Sequence, residues 1–104
     1  MTNLNSKQRK LLEKYANKIE PVVIVGAGGV SEGVTGKISD ELGHHELIKV
    51  KFNEFKDEKH ELTEGIVNST DATLVRVIGN IAILYRAAKE IKDRKYEKEL
   101  NKLS

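Results

Sequence analysis

The feature that most constrains the fold is an apolar run that passes through glycines into a helix. Val22 to Val25 is short, wholly apolar and β-branched, which is typical of a fully buried strand. Gly26-Ala27-Gly28-Gly29 follows directly, and Ser31 is a good N-terminal cap for a helix that ends near Gly43. The sequence therefore predicts a strand, a glycine turn and a helix between residues 22 and 43.

The rest of the chain continues this alternation of strands and helices. From Leu47 to Phe52 successive side chains point to opposite faces, with the apolar Ile48, Val50 and Phe52 on one face. This pattern predicts a half-buried strand. Gly79-Asn80 suits a primed two-residue hairpin turn. The predicted elements are helices over about 5–18, 32–43 and 57–68 and strands over 22–25, 47–52, 73–78 and 81–86. This order, α-β-α-β-α-β-β, predicts a single compact α/β domain with a four-stranded mixed sheet.

The length of the chain limits it to one folded domain. With 104 residues, of which 38% are hydrophobic, it can bury one modest core. We place the domain at residues 1–87. Residues 88–104 are highly charged and carry few apolar side chains, so the sequence predicts a fraying helical tail there.

The charge of the chain is unevenly distributed. Residues 1–20 hold five basic and two acidic side chains, residues 21–80 hold six and ten, and residues 81–104 hold seven and four. The net charges are thus +3, −4 and +3. Two basic ends can form one positive surface if the fold brings them together, as in proteins that bind polyanions, or they can be ordinary solvated faces.

Several classes of function are disfavoured. The chain has no cysteine, which excludes thiolate metal sites and cysteine nucleophiles and fits a reducing compartment. His44, His45 and His60 lack a ligand spacing, and the acidic residues are not coupled by spacing to a base or a nucleophile. No apolar run approaches the roughly 18 residues of a membrane span. We therefore expect a non-enzymatic, cytoplasmic protein without a metal or cofactor and without a membrane partner.

The glycine turn allows two interpretations. A strand that enters a helix through glycines directs N–H groups and the positive end of the helix dipole outward, which favours phosphate. The glycines can equally serve only the tight turn. Two nucleotide-binding motifs do not fit, because Ser31 replaces the third glycine of a dinucleotide fingerprint and Gly36-Lys37 is followed by Ile38 rather than Ser or Thr.

Lysines form a row along the first predicted helix. Lys7, Lys10, Lys14 and Lys18 recur at spacings of three and four. Such a row can follow a phosphate backbone with one charge for each contact, without reading sequence. The alternative is a solvated helix face.

The motifs, taken in order, resemble the YhbY family of bacterial RNA-binding proteins, which are single copies of the CRM domain. The resemblance covers roughly residues 4–87. Besides the lysine-rich first helix, it is carried by four segments: Pro21 to Val30, Glu46 to Phe52, Ile78-Gly79-Asn80 and Leu84-Tyr85-Arg86.

The resemblance implies a fold similar to the C-terminal domain of bacterial translation initiation factor three, with a GxxG loop like that of KH domains. It implies binding to ribosomal RNA in precursors of the large subunit; repeated copies act in intron splicing in plant organelles. By position, Gly26, Ala27, Gly28 and Gly29 would be the RNA-clamping loop, and Lys7, Lys10 and Lys14 part of a basic surface beside it. The family commonly has Lys where this chain has Ala27, so its loop would rely on Lys37 and the first helix.

From these observations we predict a monomeric RNA-binding protein that captures the RNA backbone. With no Trp, two Phe and three Tyr, the chain has few platforms for base stacking, which favours recognition by RNA shape. One alternative is a protein-interaction module that docks on an acidic partner. A less favoured alternative is a binder of small nucleotides, although we expect no small-molecule substrate.

Overall fold

The structure, a computed structural model, describes residues 3–104. Its order of elements confirms the predicted α/β fold, with bounds that differ from the sequence prediction by at most a few residues. The helices are α1 (Ser6–Ala16), α2 (Glu32–His45) and α3 (Lys59–Thr70), and the strands are β1 (Val23–Val25), β2 (Leu47–Phe52), β3 (Thr73–Ile78) and β4 (Ile81–Tyr85). A 3-10 turn (Ile91–Asp93) and a short helix, α4 (Glu97–Asn101), follow β4.

The four strands form one mixed sheet in the order β1-β2-β4-β3. β1 pairs with β2 in parallel, and β2 and β3 each pair with β4 in antiparallel. The β3–β4 pairing shifts between Leu74 and Arg76. The Gly79-Asn80 turn joins β3 to β4, and Gly79 has a φ of +57°, as a primed turn requires. The mixed sheet predicted from the sequence is therefore confirmed.

Both faces of the sheet are covered by helices. On one face, α2 and α3 bury Ile48, Val50 and Phe52 of β2 in the larger core. On the other face, α1 and the C-terminal residues bury Leu47 together with residues of β3 and β4 in a second core. The prediction of a half-buried β2 is therefore wrong at its first residue, and it holds further along, where Lys51 is exposed.

Helix α1 begins with a complete capping box. The Asn5 side chain accepts the Gln8 N–H at 2.8 Å, and the Gln8 side chain accepts the Asn5 N–H at 2.9 Å. Gln8 is buried, and its side-chain amide also donates a hydrogen bond to the Leu100 carbonyl at 2.9 Å. The buried side chains on α1 are Gln8, Leu12 and Ala16, whereas Leu11 and Tyr15 lie at the edge of the second core.

The C-terminal residues pack on the domain, so the prediction of a fraying tail is wrong. Leu100 is buried in the second core, and Tyr96 packs against it. Polar contacts to α1 and its cap add to this packing: Asn5 Nδ2 donates to the Leu103 carbonyl at 2.7 Å, and Tyr15 Oη donates to Glu99 Oε1 at 2.6 Å. The sequence suggested fraying because the segment has few apolar residues, but Tyr96 and Leu100 pack into the second core, whereas Ile91 is exposed. The boundary at residue 87 stays a prediction.

Glu46 fixes the path of the chain after β4. It is buried, and it has a φ of +61° at the junction of α2 and β2. Its carboxylate accepts the N–H groups of Ala88 at 2.7 Å and Lys95 at 2.6 Å, so a buried charge is satisfied by two backbone donors. Burial, with a smaller contribution from the Glu46 charge, raises the pKa of Tyr85 to about 12.

The packing of the C-terminal residues leads to a stability prediction. Leu100→Ala should lower the free energy of unfolding by about 2–4 kcal/mol, because it removes buried methyl groups from the second core. Ile91→Ala is the control, since Ile91 is 74% exposed and should change it by less than about 0.5 kcal/mol. Urea unfolding followed by circular dichroism measures both. Equal values for Leu100→Ala and the parent would show that the segment does not contribute to the core.

Candidate nucleic-acid interface

The glycine loop (Gly26–Gly29) lies at the end of β1, an edge strand of the sheet. The Gly29 N–H donates to the Gly26 carbonyl at 3.0 Å, which closes a tight turn. Gly26, Ala27 and Gly28 are exposed, and Gly29 is partly buried. The loop therefore presents three consecutive residues to solvent immediately before α2.

Only one of the three glycines is required by the conformation of the turn. Gly29 has a φ of +71°, a left-handed value that L side chains rarely adopt. Gly26 and Gly28 lie outside that region, and a Cβ at either position would meet no heavy atom within 4 Å. The turn interpretation thus accounts for Gly29 and leaves Gly26 and Gly28 unexplained by the fold. Two open glycines let a ligand approach the backbone closely.

The N-terminus of α2 follows the loop, and its own side chains partly occupy it. Ser31 accepts the Val34 N–H at 3.2 Å, as predicted for the N-cap, and Glu32 places a carboxylate in the first turn. By helix geometry, the N–H groups of Glu32 and Gly33 remain at this end. The dipole of α2 therefore supports the loop, but the Glu32 charge opposes an anion there.

A second loop, the 53–58 loop between β2 and α3, lies against the first. The N–H groups of Asn53 and Glu54 both donate to the Val25 carbonyl, at 3.0 and 3.2 Å, which ties this loop to the end of β1. The next residue, Phe55, lies beside Gly29. Sequence reasoning missed Phe55, and the sequence gives no signal for it, because its position depends on the pairing of β1 with β2.

The predicted lysines do not all lie beside the glycine loop. Lys37 is exposed on α2, the helix that follows the loop. Lys7, Lys10 and Lys14 are exposed on α1, which packs on the face of the sheet opposite α2. The ion pairs of the described residues involve His45, Arg76 and Arg94 and none of these four lysines. The structure thus divides the predicted site between the two faces of the sheet.

The edge of the sheet connects the two parts of the site. α1 contacts β2 and β3. It does not cover Ile24 of β1, which is 57% exposed. Lys51 is the register partner of Ile24 on β2 and is also exposed, so a cation lies on this open part of the sheet. Lys51 was not among the predicted site residues, although the alternation of β2 already placed it away from the larger core.

The two basic ends of the chain come together on the α1 face. α1 and α4 share the second core, with Leu12 and Leu100 buried in it. Lys98 and Lys102, at α4, are exposed like the lysines of α1. Within the ion pairs, Arg76 bonds Glu13 at 2.9 Å and Arg94 bonds Glu97 at 3.0 Å, which partly neutralises this face.

The described residues offer little for other chemistry. An open groove of about 750 Å³ lies at the start of β2, far from the glycine loop in the sheet, and both basic and acidic side chains line it. Its Arg86 donates to Ser39 Oγ, to the Ser39 carbonyl and to the Thr70 carbonyl, so it is engaged within the fold. In residues 3–104, no group of three or more His, Asp or Glu side chains could hold a metal ion, and no helix could cross a membrane.

The fold and the site define a small α/β domain with a glycine loop at the ends of two parallel strands and lysines on both sides of the sheet. A model of the CRS1/YhbY (CRM) domain matches residues 4–86. The chain belongs to this family, which confirms the resemblance seen in the sequence.

Named relatives and a solved structure are similar over most of their lengths. A Haemophilus influenzae protein named RNA-binding protein is 42% identical over 93 residues, covering 88% of this chain and 94% of its own length. YqeI of Bacillus subtilis, named a probable RNA-binding protein, is 34% identical over 90 residues, covering 86% and 94%. The solution structure of SAV1595 from Staphylococcus aureus, a hypothetical protein proposed to bind RNA, superimposes with a TM-score of 0.73 at 39% identity, covering 89% and 98%.

The different roles of the glycines lead to a stability prediction. Gly28→Ala should keep or raise the free energy of unfolding by up to about 1 kcal/mol, because the position is open and not left-handed. Gly29→Ala should lower it by about 1–2 kcal/mol, since alanine there adopts a left-handed φ. Urea unfolding of the two variants provides the comparison. A larger loss for Gly28→Ala than for Gly29→Ala would mean that the turn, rather than a ligand, requires Gly28.

Proposed function

We propose that the chain binds the phosphate backbone of RNA and catalyses no reaction on the RNA. The observation that carries the proposal is the pair of glycines, Gly26 and Gly28, that are exposed, open and not required by the turn. A backbone without side chains can approach a phosphate closely, as in other glycine loops before helices. Three relatives are named as an RNA-binding protein or a probable RNA-binding protein, which supports the same function.

In the proposed mode, one phosphate is held by N–H groups of the glycine loop and of the start of α2. Lys37 on α2 and Lys51 on β2 supply cations on the two sides of the β1 edge. From there the RNA strand continues over the exposed outer side of β1 and β2 to Lys7, Lys10 and Lys14 on α1. The division of the lysines between two faces then becomes a path around one edge of the sheet.

The proposal extends to the biological target and setting. By family resemblance, the RNA is ribosomal RNA in precursors of the large subunit. The composition of the sequence favours the cytoplasm, and we propose that the protein acts there as a monomer. The family's usual loop cation is replaced by Ala27, so Lys37 and the lysines of α1 supply the charge here.

Docking on an acidic protein is the second candidate function, because the α1 face brings together two basic ends. Heparin and an acidic peptide would then compete as well as RNA of equal charge. Capture by a glycine loop instead requires phosphates on a flexible chain. Competition assays with these probes separate the two functions.

The glycine loop is tested with Gly28→Asp. A Cβ at Gly28 meets no heavy atom within 4 Å, and the new carboxylate would lie where the phosphate binds. We expect RNA affinity to fall about tenfold to a hundredfold, the range for losing a charged hydrogen bond. Gly65→Asp is the matched control, because Gly65 is an exposed, open glycine on α3 and the change in net charge is the same.

Fluorescence anisotropy with a labelled single-stranded RNA measures both variants, and circular dichroism confirms that each is folded. If folded Gly28→Asp binds RNA as well as Gly65→Asp does, the loop is not the phosphate site.

The lysines of α1 are tested by the dependence of binding on salt. About four to six phosphate contacts predict a log–log slope of roughly −3 to −4, which weakens binding roughly 50- to 250-fold between 50 and 200 mM salt. Replacing Lys7, Lys10 and Lys14 together by Gln should flatten this slope by about two units. An unchanged slope in the triple variant would remove α1 from the RNA path, and a parental slope near zero would contradict backbone capture altogether.

A further inference from the structure

We infer that Phe55 is a base-stacking platform that gives the glycine loop a preference for an unpaired nucleotide. The inference rests on the RNA binding proposed above and adds a second contact to it. The phosphate is held by the loop, and the base of the same or the adjacent nucleotide lies on the Phe55 ring.

The ring lies directly against the glycine loop. A Cβ built on Gly29 would be 3.5 Å from Phe55 Cε2 and 3.6 Å from Cζ, so the two residues are in contact distance. The backbone before the ring is held by the bonds of Asn53 and Glu54 to Val25, and the Phe55 carbonyl accepts the Glu58 N–H at 3.1 Å. The backbone that carries the ring is therefore held on both sides of Phe55.

The backbone of Phe55 is in an unfavourable conformation. Its φ is +56°, in the left-handed region that costs a non-glycine residue energy and that Asn, Asp or Gly occupies more easily. The side chain does not recover this cost by full burial, since it is 41% exposed. A strained bulky residue on an exposed loop fits a role in binding better than a role in the core.

Phe55 is also the one exposed aromatic side chain among the Phe and Tyr residues of the described chain. Phe52 and Tyr85 are buried in the two cores. Tyr15 and Tyr96 pack against each other with ring centroids 5.3 Å apart. The scarcity of Phe and Tyr therefore does not exclude stacking, because the one of them that is classed as exposed lies at the proposed phosphate site.

The charges of the 53–58 loop determine which part of a nucleotide can lie there. Glu54, Asp57 and Glu58 oppose Lys56 alone, for a net charge of −2. Carboxylates repel phosphate, so the RNA backbone is expected near Lys37 and Lys51 and away from the side on which the 53–58 loop lies. An uncharged base can lie on this side, and the exposed ring is an apolar surface for it.

Stacking on Phe55 requires a base that is free of its neighbours. A base within a duplex is already stacked and paired, and removing it costs energy. Phe55 should therefore favour single strands, bulges and loop ends over regular duplex, with little dependence on which base is present.

The first test uses the absence of tryptophan from the chain. Phe55→Trp introduces a single tryptophan at the platform, and its emission can be separated from that of the three tyrosines. We expect its emission to be quenched by a single-stranded oligouridine, less by a perfect RNA duplex, and not by inorganic polyphosphate, which has phosphates but no bases. Equal quenching by oligouridine and polyphosphate, or none by oligouridine that is shown to bind, would overturn the inference.

The second test measures affinity. Phe55→Ala should weaken binding of single-stranded RNA roughly 5- to 150-fold and leave the salt slope unchanged, because stacking releases no counterions. Binding of duplex RNA should change little. Ile78→Ala is the control, since Ile78 is 46% exposed and lies on β3, the opposite edge of the sheet. Thermal melting confirms that both variants are folded.

The outcomes distinguish this inference from the proposed function. Parental affinity in folded Phe55→Ala, together with weak binding by Gly28→Asp, would reject the platform and leave the phosphate loop in place. An equal loss for single strand and duplex would reject the preference for unpaired bases. No binding of either RNA by the parent protein would overturn both proposals.

Discussion

The parallel pairing of β1 with β2 is the constraint on which the site depends. Parallel strands end at the same edge of a sheet, so the loops that follow them meet there. In this chain, the Val25 carbonyl accepts two N–H groups from the residues after β2, which brings the glycine loop and the 53–58 loop together. The glycine loop and the exposed ring of Phe55 become neighbours through this pairing, although Gly29 and Phe55 lie 26 positions apart in the sequence.

The covering of both sheet faces is the second determinant. A chain of 104 residues has few apolar side chains to cover two faces, and the second core is completed by residues from both ends of the chain. Glu46 contributes to this arrangement with a buried carboxylate that holds the backbone at Ala88 and Lys95. The basic ends are therefore adjacent for a structural reason, and the positive charge of the α1 face is a consequence of how the core is closed.

The elements could be predicted from the sequence because their signals are local. The bounds of β2 and β3 were predicted to the residue, since alternation and glycine turns mark them. The packing of residues 88–104 could not be predicted. A few apolar residues at irregular spacing do not indicate that the sheet has an apolar face for them to cover. The glycine turn was predicted at the right position, but its separation from the lysines of α1 depends on which face each helix covers. The face that α1 covers is determined by tertiary packing, and the spacing of residues within α1 does not indicate it.

Both edge strands of the sheet have features that hinder pairing with a strand of another chain. An edge strand exposes N–H and C=O groups that can recruit another chain. β1 is three residues long, and it lies between Pro21, which has no N–H group, and the glycine loop. β3, at the other edge, has an irregular register and an outward-facing Arg76 bonded to Glu13. The shortness of β1, beside the exposed Ile24, thus also limits the length over which another strand could pair at this edge.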